Sequence, residues 1–116
     1  MKRNNISAPI DIKHPLTFKD IDGCVYHLSP TTYKHIKKDH CIADPCDFIK
    51  DTLLDPCVIT EDKTKEDRWI YHRDYRNKLY KVVVVSTSEK KIKTAFISDV
   101  IKGGNIKWIK KGPLSK

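Results

Sequence analysis

The chain has 116 residues, which suits one domain with a single hydrophobic core and leaves little room for a second. Its 23 lysine and arginine residues outnumber the 15 acidic residues, and the net charge of +8 favours a polyanionic partner such as nucleic acid. No apolar run approaches the roughly 18 residues of a membrane span, and no apolar signal core follows the basic start, so we expect a cytoplasmic protein without membrane contact.

The chain begins with a segment that is typical of a flexible arm. Residues 1–15 contain two prolines among scattered polar groups. A single domain is therefore expected over residues 16–116. Its first segments, 16–19 and 24–28, flank Asp22-Gly23, a pair typical of a type I′ hairpin turn. We expect this hairpin to lie against one end of the main sheet.

Two helices are predicted after the hairpin. Ser29-Pro30 supplies an N-cap and a first-turn proline for a helix over residues 31–40. Asp44-Pro45 begins a second helix in the same way, and Asp55-Pro56 ends it.

After the second helix the apolar pattern changes to an alternating one, which predicts strands. These strands are expected over residues 58–60, 68–75, 79–85, 92–97 and 106–109. Segment 79–85 is apolar on both faces and should be the central strand. The hairpin and two helices, packed on a four- to five-stranded antiparallel sheet, make an α+β domain.

Lys81 is the single charge in the predicted central strand, and two interpretations of it are open. Near the start of the strand its aliphatic stem can carry the ammonium group out to water. Alternatively, the ammonium group is a cation held at the floor of a site.

Two histidines of the first predicted helix are candidates for acid–base chemistry. His40 shares a helical stripe with Tyr33 and Ile36, where a histidine is more often a hydrogen-bonded core residue than a catalyst. His35 lies among lysines, where by default it is a solvated surface residue. Five residues apart on a helix, the two side chains diverge by about 140°. They can serve one reacting group only if the helix ends between them.

Two basic segments are candidates for nucleic-acid contact. Residues 68–76 interleave arginines with aromatic residues, so Arg68, Tyr71 and Arg76 are expected to pair with phosphates or stack on bases. Cross-strand aromatic packing in a half-exposed strand is the alternative. From Glu89 onward eight lysines stand against two acidic residues, which indicates a polyanion-binding surface rather than a merely solvated face. The contacts expected there are Lys107, Lys110 and Lys111.

A zinc-stabilised domain is a further alternative, because Cys41, Cys46, Cys57 and His40 are residue types that bind zinc. The chain has no C-x₂-C pair, and the spacing of Cys41 and Cys46 is unusual for zinc. Without a secretory context the four cysteines are expected as reduced thiols. We therefore predict no metal ligand and no cofactor.

Several short motifs, taken in order, are similar to a known group of enzymes. They are His35–His40, Ile49–Pro56, Tyr71–Arg73, Leu79–Val85 and Thr94–Phe96. Over roughly residues 26–109 this order resembles the small phage and polymorphic-toxin nucleases of the barnase, EndoU, colicin and RelE-like (BECR) group.

The resemblance implies a BECR-like fold and a metal-independent endoribonuclease of toxin or phage type. In such enzymes a ribose 2′-hydroxyl attacks its own 3′-phosphate and leaves a 2′,3′-cyclic phosphate, which requires a base, an acid and cations. The matching residues are His35, His40, Arg73, Lys81 and Thr94. RNA is the implied partner, together with an immunity or antitoxin protein. Proteins of this fold can also lose catalysis, so a non-catalytic nucleic-acid- or protein-binding module is the alternative.

Overall fold

The computed structural model describes residues 12–110. The elements in this part of the chain are β1 (Leu16–Lys19), β2 (Val25–Leu28), α1 (Pro30–Asp39), α2 (Pro45–Leu54), β3 (Val58–Glu61), β4 (Arg68–Asp74), β5 (Tyr80–Ser86), β6 (Lys91–Ser98) and β7 (Ile106–Ile109). Most of the predicted arm and the last residues of the predicted domain lie outside the described residues. Within the arm, Ile12 packs against the hydrophobic core.

The strands form one seven-stranded sheet in the order β1-β2-β6-β5-β4-β3-β7. Its strand pairs are antiparallel except for β2 and β6, which are parallel and meet at His27 and Lys91. The His27 N–H donates to the Lys90 carbonyl oxygen at 2.8 Å. The predicted α+β class is confirmed. The sheet is wider than the expected four or five antiparallel strands because the hairpin extends it through this parallel contact.

β5 lies in the middle of the sheet, as its sequence predicts. Val82, Val83 and Val85 are completely buried. Val83 and Val85 belong to the core cluster that also contains residues of α1 and α2. Val82 points to the opposite face because side chains alternate along a strand. Burial on both faces explains the valine-rich composition of β5.

Both helices begin at the side-chain caps that the sequence predicts. The Ser29 hydroxyl oxygen accepts the Thr32 N–H at 3.1 Å, and the Asp44 carboxylate accepts the Asp47 N–H at 3.2 Å. α1 packs against β6, while α2 packs against β1, β4 and β5. Neither α1 nor α2 has the length and apolar character that crossing a membrane requires.

Residues 99–105, here called the covering segment, lie against the sheet face that points away from the core cluster. The Lys102 N–H donates to His72 Nε2 at 2.9 Å, and the Lys102 carbonyl oxygen accepts the Thr60 hydroxyl at 2.6 Å. Gly103 follows with φ +94°, and a Cβ atom there would lie 2.5 Å from Thr60 Oγ1. The segment is thus fixed by backbone hydrogen bonds and by a position that only glycine fits.

The first hairpin turn differs from the predicted type I′ turn. Gly23 has φ +87°, but Asp22 is not among the described residues with a positive φ, as a type I′ turn requires. Instead the Asp20 carboxylate accepts the N–H groups of Asp22 and Cys24 at 2.9 and 2.8 Å, which holds a longer loop. Two consecutive positive φ values occur at Asn77-Lys78, between β4 and β5.

Candidate functional site

His35 and His40 meet at the C-terminal end of α1. The helix ends at Asp39, and His40 has left the helical conformation with φ −104° and ψ 4°. The two imidazole rings lie edge to face, with centroids 4.9 Å apart and planes at 90°. The helix therefore ends between the two histidines, which is the condition under which their side chains can converge.

Asp39 orients His35. One oxygen of its carboxylate lies 2.8 Å from His35 Nδ1, and the two side chains are 57% and 47% exposed. An ion pair as exposed as this one contributes little to stability. Its chemical effect is to keep the proton on Nδ1, which leaves Nε2 of the neutral ring available as a base. The four-residue spacing on a helix is the sequence signal that could have revealed this pair.

His40 also contacts the sheet. Its ring centroid lies 6.0 Å from that of Phe96 in β6. Phe96 is in register with Val82, so it lies on the face that carries the covering segment. The histidine pair is therefore positioned beside a partly exposed aromatic ring on that face. Nothing in the sequence pattern relates His40 to Phe96, because the contact depends on how α1 docks.

Thr94 precedes Phe96 by two residues on the same strand and points to the same face. Its hydroxyl oxygen is buried and has no hydrogen-bond partner among the described residues. A buried hydroxyl without a partner costs free energy, but it is not accessible to a substrate in this structure. The position does not fit the substrate contact that the resemblance implies for Thr94.

Lys81 lies in a cleft of about 350 Å³ on the other face of the sheet. Its ammonium nitrogen is 5.5 Å from the ring centroid of Phe48 and 5.4 Å from that of Tyr75. Asp51 is its carboxylate partner, at 3.8 Å, and the Lys81 side chain is 18% exposed. Of the two sequence interpretations, the structure favours a cation held at the floor of a cleft.

The charges around Lys81 oppose a phosphate ligand. Asp44 and Asp47 line the same cleft, and Asp51 is the ion-pair partner of Lys81, so carboxylates outnumber the ammonium group. The neighbouring Asp44 carboxylate raises the pKa of Asp47, which reflects this crowding of negative charge. The predicted role of Lys81 in stabilising a phosphorane is therefore not supported by its surroundings.

Arg73 and Lys110 meet at one carboxylate. Asp55 accepts from the Arg73 guanidinium at 2.7 Å and from the Lys110 ammonium group at 3.0 Å. Hydrogen bonds from Lys110 and then Arg73 hold the pKa of Asp55 below its usual value. The cluster also borders a recess of about 180 Å³ with Cys57. Both predicted cations, Arg73 and Lys110, are thus paired with a carboxylate at the surface.

The predicted catalytic residues consequently do not share one cleft. Arg73 and Lys81 are register partners on the face of the sheet that bears the core. Thr94, which is in register with Val84, points to the opposite face. Of the five residues, His35 and His40 are in ring contact, while Arg73 and Lys81 are cross-strand neighbours.

Tyr71 does not fit its predicted role in base stacking, because it is completely buried. Its hydroxyl donates to the Asp20 carboxylate at 2.6 Å, and its ring packs edge to face against Tyr26. Burial and the hydrogen bond to Asp20 raise the pKa of Tyr71. The side chain links the hairpin to the sheet, as the alternative of cross-strand aromatic packing anticipates.

The other predicted RNA contacts are distributed over the surface. Arg68 pairs with Asp67 at 2.8 Å, and Lys107 pairs with Glu61 at 3.4 Å. Arg76 is exposed and its guanidinium lies over the Tyr75 ring. Lys111 lies outside the described residues. Since Lys107 and Lys110 both have carboxylate partners, part of their charge is already neutralised.

Three exposed lysines without ion pairs flank the histidine pair or the sheet face beside it. Within residues 12–110, Lys34, Lys38 and Lys102 form none of the ion pairs that the structure contains. Lys34 and Lys38 lie on α1 with the histidines, whereas Lys102 lies on the covering segment. These lysines are better placed to meet a phosphate than Arg73 or Lys81, because their charges are not neutralised locally.

The zinc alternative is not supported by the described part of the chain. Cys24, Cys41, Cys46 and Cys57 are free thiols. Among residues 12–110 no group of three or more histidine, cysteine, aspartate or glutamate side chains is arranged to hold a metal ion. Cys41, Cys46, Cys57 and His40 therefore do not form the ligand set of the zinc alternative.

Comparison with protein-family models, with curated proteins and with solved structures finds no match to this chain. The resemblance to the BECR nucleases therefore stays a prediction from the sequence.

Proposed function

We propose that the chain is a metal-independent endoribonuclease of toxin or phage type that cleaves RNA with His35 and His40. The observation that carries the proposal is the contact of the two imidazole rings at the end of α1, with Asp39 orienting one of them. Paired imidazoles are well suited to acid–base catalysis near neutral pH, because each can hold or release a proton there.

The proposed reaction needs one neutral and one protonated histidine. The neutral imidazole removes the proton from a ribose 2′-hydroxyl, whose oxygen then attacks the adjacent phosphorus atom. As the new O2′–P bond forms, the P–O5′ bond breaks, and the protonated imidazole gives its proton to the departing 5′-oxygen. The products are a 2′,3′-cyclic phosphate and a 5′-hydroxyl, so atoms and protons balance without water or a metal ion.

The phosphate contacts in this proposal are Lys34 and Lys38 rather than Arg73 and Lys81. Lys34 and Lys38 lie on α1 with His35, and these two lysines form none of the ion pairs among residues 12–110. Cations beside the reacting phosphate stabilise the negative charge of the transition state. RNA in the cytoplasm is the proposed substrate, and an immunity or antitoxin protein is the partner that such a toxin would require.

A non-catalytic RNA-binding module is the second candidate function. It is favoured by Arg73 and Lys81, which are engaged with carboxylates, and by Thr94, whose hydroxyl oxygen is buried. Such a module needs the basic surface but not the histidine contact.

The experiment that separates the two functions is RNA cleavage in the presence of EDTA. We expect the wild-type chain to produce fragments ending in a 2′,3′-cyclic phosphate, and to leave 2′-deoxy oligonucleotides intact. His35→Ala combined with His40→Ala should lower the rate by about 100-fold or more, with binding of the 2′-deoxy oligonucleotide retained. His27→Ala is the matched control, since His27 is exposed and lies on β2.

Two results would contradict the nuclease proposal. RNA binding without cleavage by the wild-type chain would favour the binding module. Normal cleavage by a folded double-histidine variant would show that neither imidazole takes part. Circular dichroism must accompany the assay, because loss of activity through unfolding would say nothing about proton transfer.

A further inference from the structure

A shallow strip on one face of the sheet lies beside the histidine pair. Its floor consists of Tyr80 and Val84 of β5 and Thr94 and Phe96 of β6, all of them partly exposed. Alternation along each strand and the cross-strand register place these four side chains on the same face. This part of the face lies beside the area that the covering segment buries at His72 and Thr60.

The strip lies between two elements that carry exposed lysines. The end of α1 borders it where His40 contacts Phe96, and Lys38 lies two residues before His40. The covering segment borders the other side, where both backbone groups of Lys102 are hydrogen-bonded to β3 and β4 side chains. Neither lysine forms an ion pair among residues 12–110. An aromatic floor flanked by cations complements a single nucleic-acid strand.

The acidic residues near the strip distinguish its two aromatic rings. Asp74 is the register partner of Tyr80 and is exposed, so it brings negative charge to that end. Asp99 is also exposed and follows the last residue of β6. At the other ring, Phe96, the contact is with His40, and the carboxylate of the preceding residue, Asp39, is engaged by His35 at 2.8 Å. A phosphate beside a stacked base is therefore better tolerated at Phe96 than at Tyr80.

We propose that Phe96 is the stacking site for one base of a single-stranded RNA, adjacent to the phosphate that meets His40. The neighbouring phosphates then approach Lys38 on α1 and Lys102 on the covering segment. An aromatic ring binds any base by stacking, so this site confers affinity and register on the strand rather than sequence preference. The inference rests on the proposed function for the position of the scissile phosphate, but stacking itself requires no cleavage.

The test measures binding of a 2′-O-methyl oligouridylate of about eight nucleotides, which cannot be cleaved and matches a single-stranded site. Phe96→Leu keeps an apolar side chain but removes the ring, and we expect its affinity to fall by about 10-fold. Tyr75→Leu is the matched control, because Tyr75 is a partly exposed aromatic residue that lines the Lys81 cleft, away from the strip. Its affinity should stay within about 2-fold of the wild type.

A second measurement uses the unaltered chain. Removing one base at a time from the oligonucleotide should identify a position at which the wild type loses about 10-fold in affinity. The Phe96→Leu chain should lose no further affinity when that base is removed, because the ring that stacks on the base is already absent. If every single-base omission leaves wild-type binding unchanged, or a folded Phe96→Leu chain binds like the wild type, the stacking proposal is overturned.

The same assays keep this inference separate from the proposed activity. A wild-type chain that shows both stacking effects but cleaves no RNA would support the Phe96 site and reject the nuclease. A chain that cleaves through His35 and His40 but binds abasic and intact oligonucleotides equally would reject the Phe96 site alone.

Discussion

The imidazole of His40 lies against that of His35 because α1 ends at Asp39, between the two. On a continued helix their side chains would diverge by about 140°. The change of backbone conformation at His40 turns a divergent pair into one with centroids 4.9 Å apart. The candidate site therefore depends on a helix boundary, which sequence patterns define poorly.

The contact between Asp39 and His35 predicts a graded effect of substituting the carboxylate. Asp39→Asn retains an oxygen that accepts from Nδ1, whereas Asp39→Ala removes it. We expect Asp39→Ala to lower kcat for RNA cleavage by about 10-fold with little change in KM, and Asp39→Asn to recover part of the loss. Equal rates for all three chains would show that the carboxylate does not orient a reacting imidazole.

The buried Tyr71 hydroxyl predicts a loss of stability rather than of RNA affinity. Tyr71→Phe leaves the buried Asp20 carboxylate with two backbone donors, from Asp22 and Cys24, and no side-chain donor. We expect the free energy of unfolding in urea to fall by about 1–3 kcal/mol, the cost of a buried acceptor losing a partner. Tyr75→Phe is the control, since Tyr75 is partly exposed. Weakened RNA binding by a stable Tyr71→Phe chain would contradict this structural role.

Local features of the sequence predict most of the fold. The valine-rich pattern of β5 indicates its central position, and the caps Ser29 and Asp44 mark the starts of both helices. The parallel contact of β2 with β6 was not predictable in this way. It pairs His27 with Lys91, which are far apart in the chain. The paired stretch is too short to leave a recognisable pattern in the sequence.

The candidate site was less predictable because its residues are brought together by tertiary packing. Alternation correctly places Tyr71 and Arg73 on one face of β4, but it cannot show that Asp20 and Asp55 engage them. Likewise, lysine-rich composition does not reveal which lysines have carboxylate partners. Lys110 pairs with Asp55, for example, while Lys102 forms no ion pair among the described residues. Charge and periodicity predict where a basic surface lies. Whether a lysine on that surface can still bind a phosphate depends on whether a carboxylate already pairs with it.

Gly103 and Gly23 offer a matched pair of substitutions. Both have positive φ, at +94° and +87°, but a Cβ atom meets no neighbour within 4 Å at Gly23 and lies 2.5 Å from Thr60 Oγ1 at Gly103. Gly23→Ala should cost about 1 kcal/mol of stability from backbone strain alone. Gly103→Ala should cost about 2–4 kcal/mol, because the covering segment must also move. Similar thermal shifts for the two variants would contradict the close packing at Thr60.

His72 predicts how stability depends on pH. Burial lowers the pKa of His72, whose Nε2 accepts the Lys102 N–H while Nδ1 lies 3.3 Å from the Val58 carbonyl oxygen. The unfolded chain takes up a proton below about pH 6.5 and the native ring does not. The contribution of neutral His72 to the free energy of unfolding is thus fully present above that pH. It is lost as the pH falls toward the lowered pKa of the native ring.

The measurement is urea unfolding at about pH 7, 6 and 5, where most carboxylates remain ionised. His72→Gln should be less stable than the wild type at neutral pH but should show a flatter dependence on pH. His27→Ala, with an exposed histidine removed, should keep the wild-type slope. A wild-type stability that stays constant across this range would mean that His72 is protonated equally in both states.

The final prediction concerns which lysines bind RNA, and salt dependence distinguishes them. Lys38 and Lys102 have no carboxylate partner among the described residues, whereas Lys107 and Lys110 pair with Glu61 and Asp55. Removing one lysine that neutralises a phosphate should flatten the plot of log affinity against log salt concentration by about 0.7 for a single strand.

Replacing Lys38 and Lys102 together with glutamine should therefore reduce the slope by about 1.4 and weaken binding at low salt. The matched double variant, Lys107→Gln with Lys110→Gln, should change the slope less, because these lysines release fewer counterions when RNA binds. It also leaves Glu61 without Lys107 and leaves Asp55 with Arg73 as a remaining partner, so the added negative charge would repel RNA at any site nearby. The comparison must use the non-cleavable oligonucleotide, so that turnover does not distort the affinities. If only the second variant flattens the slope, RNA follows the β7 edge, and the strip beside His40 is not its path.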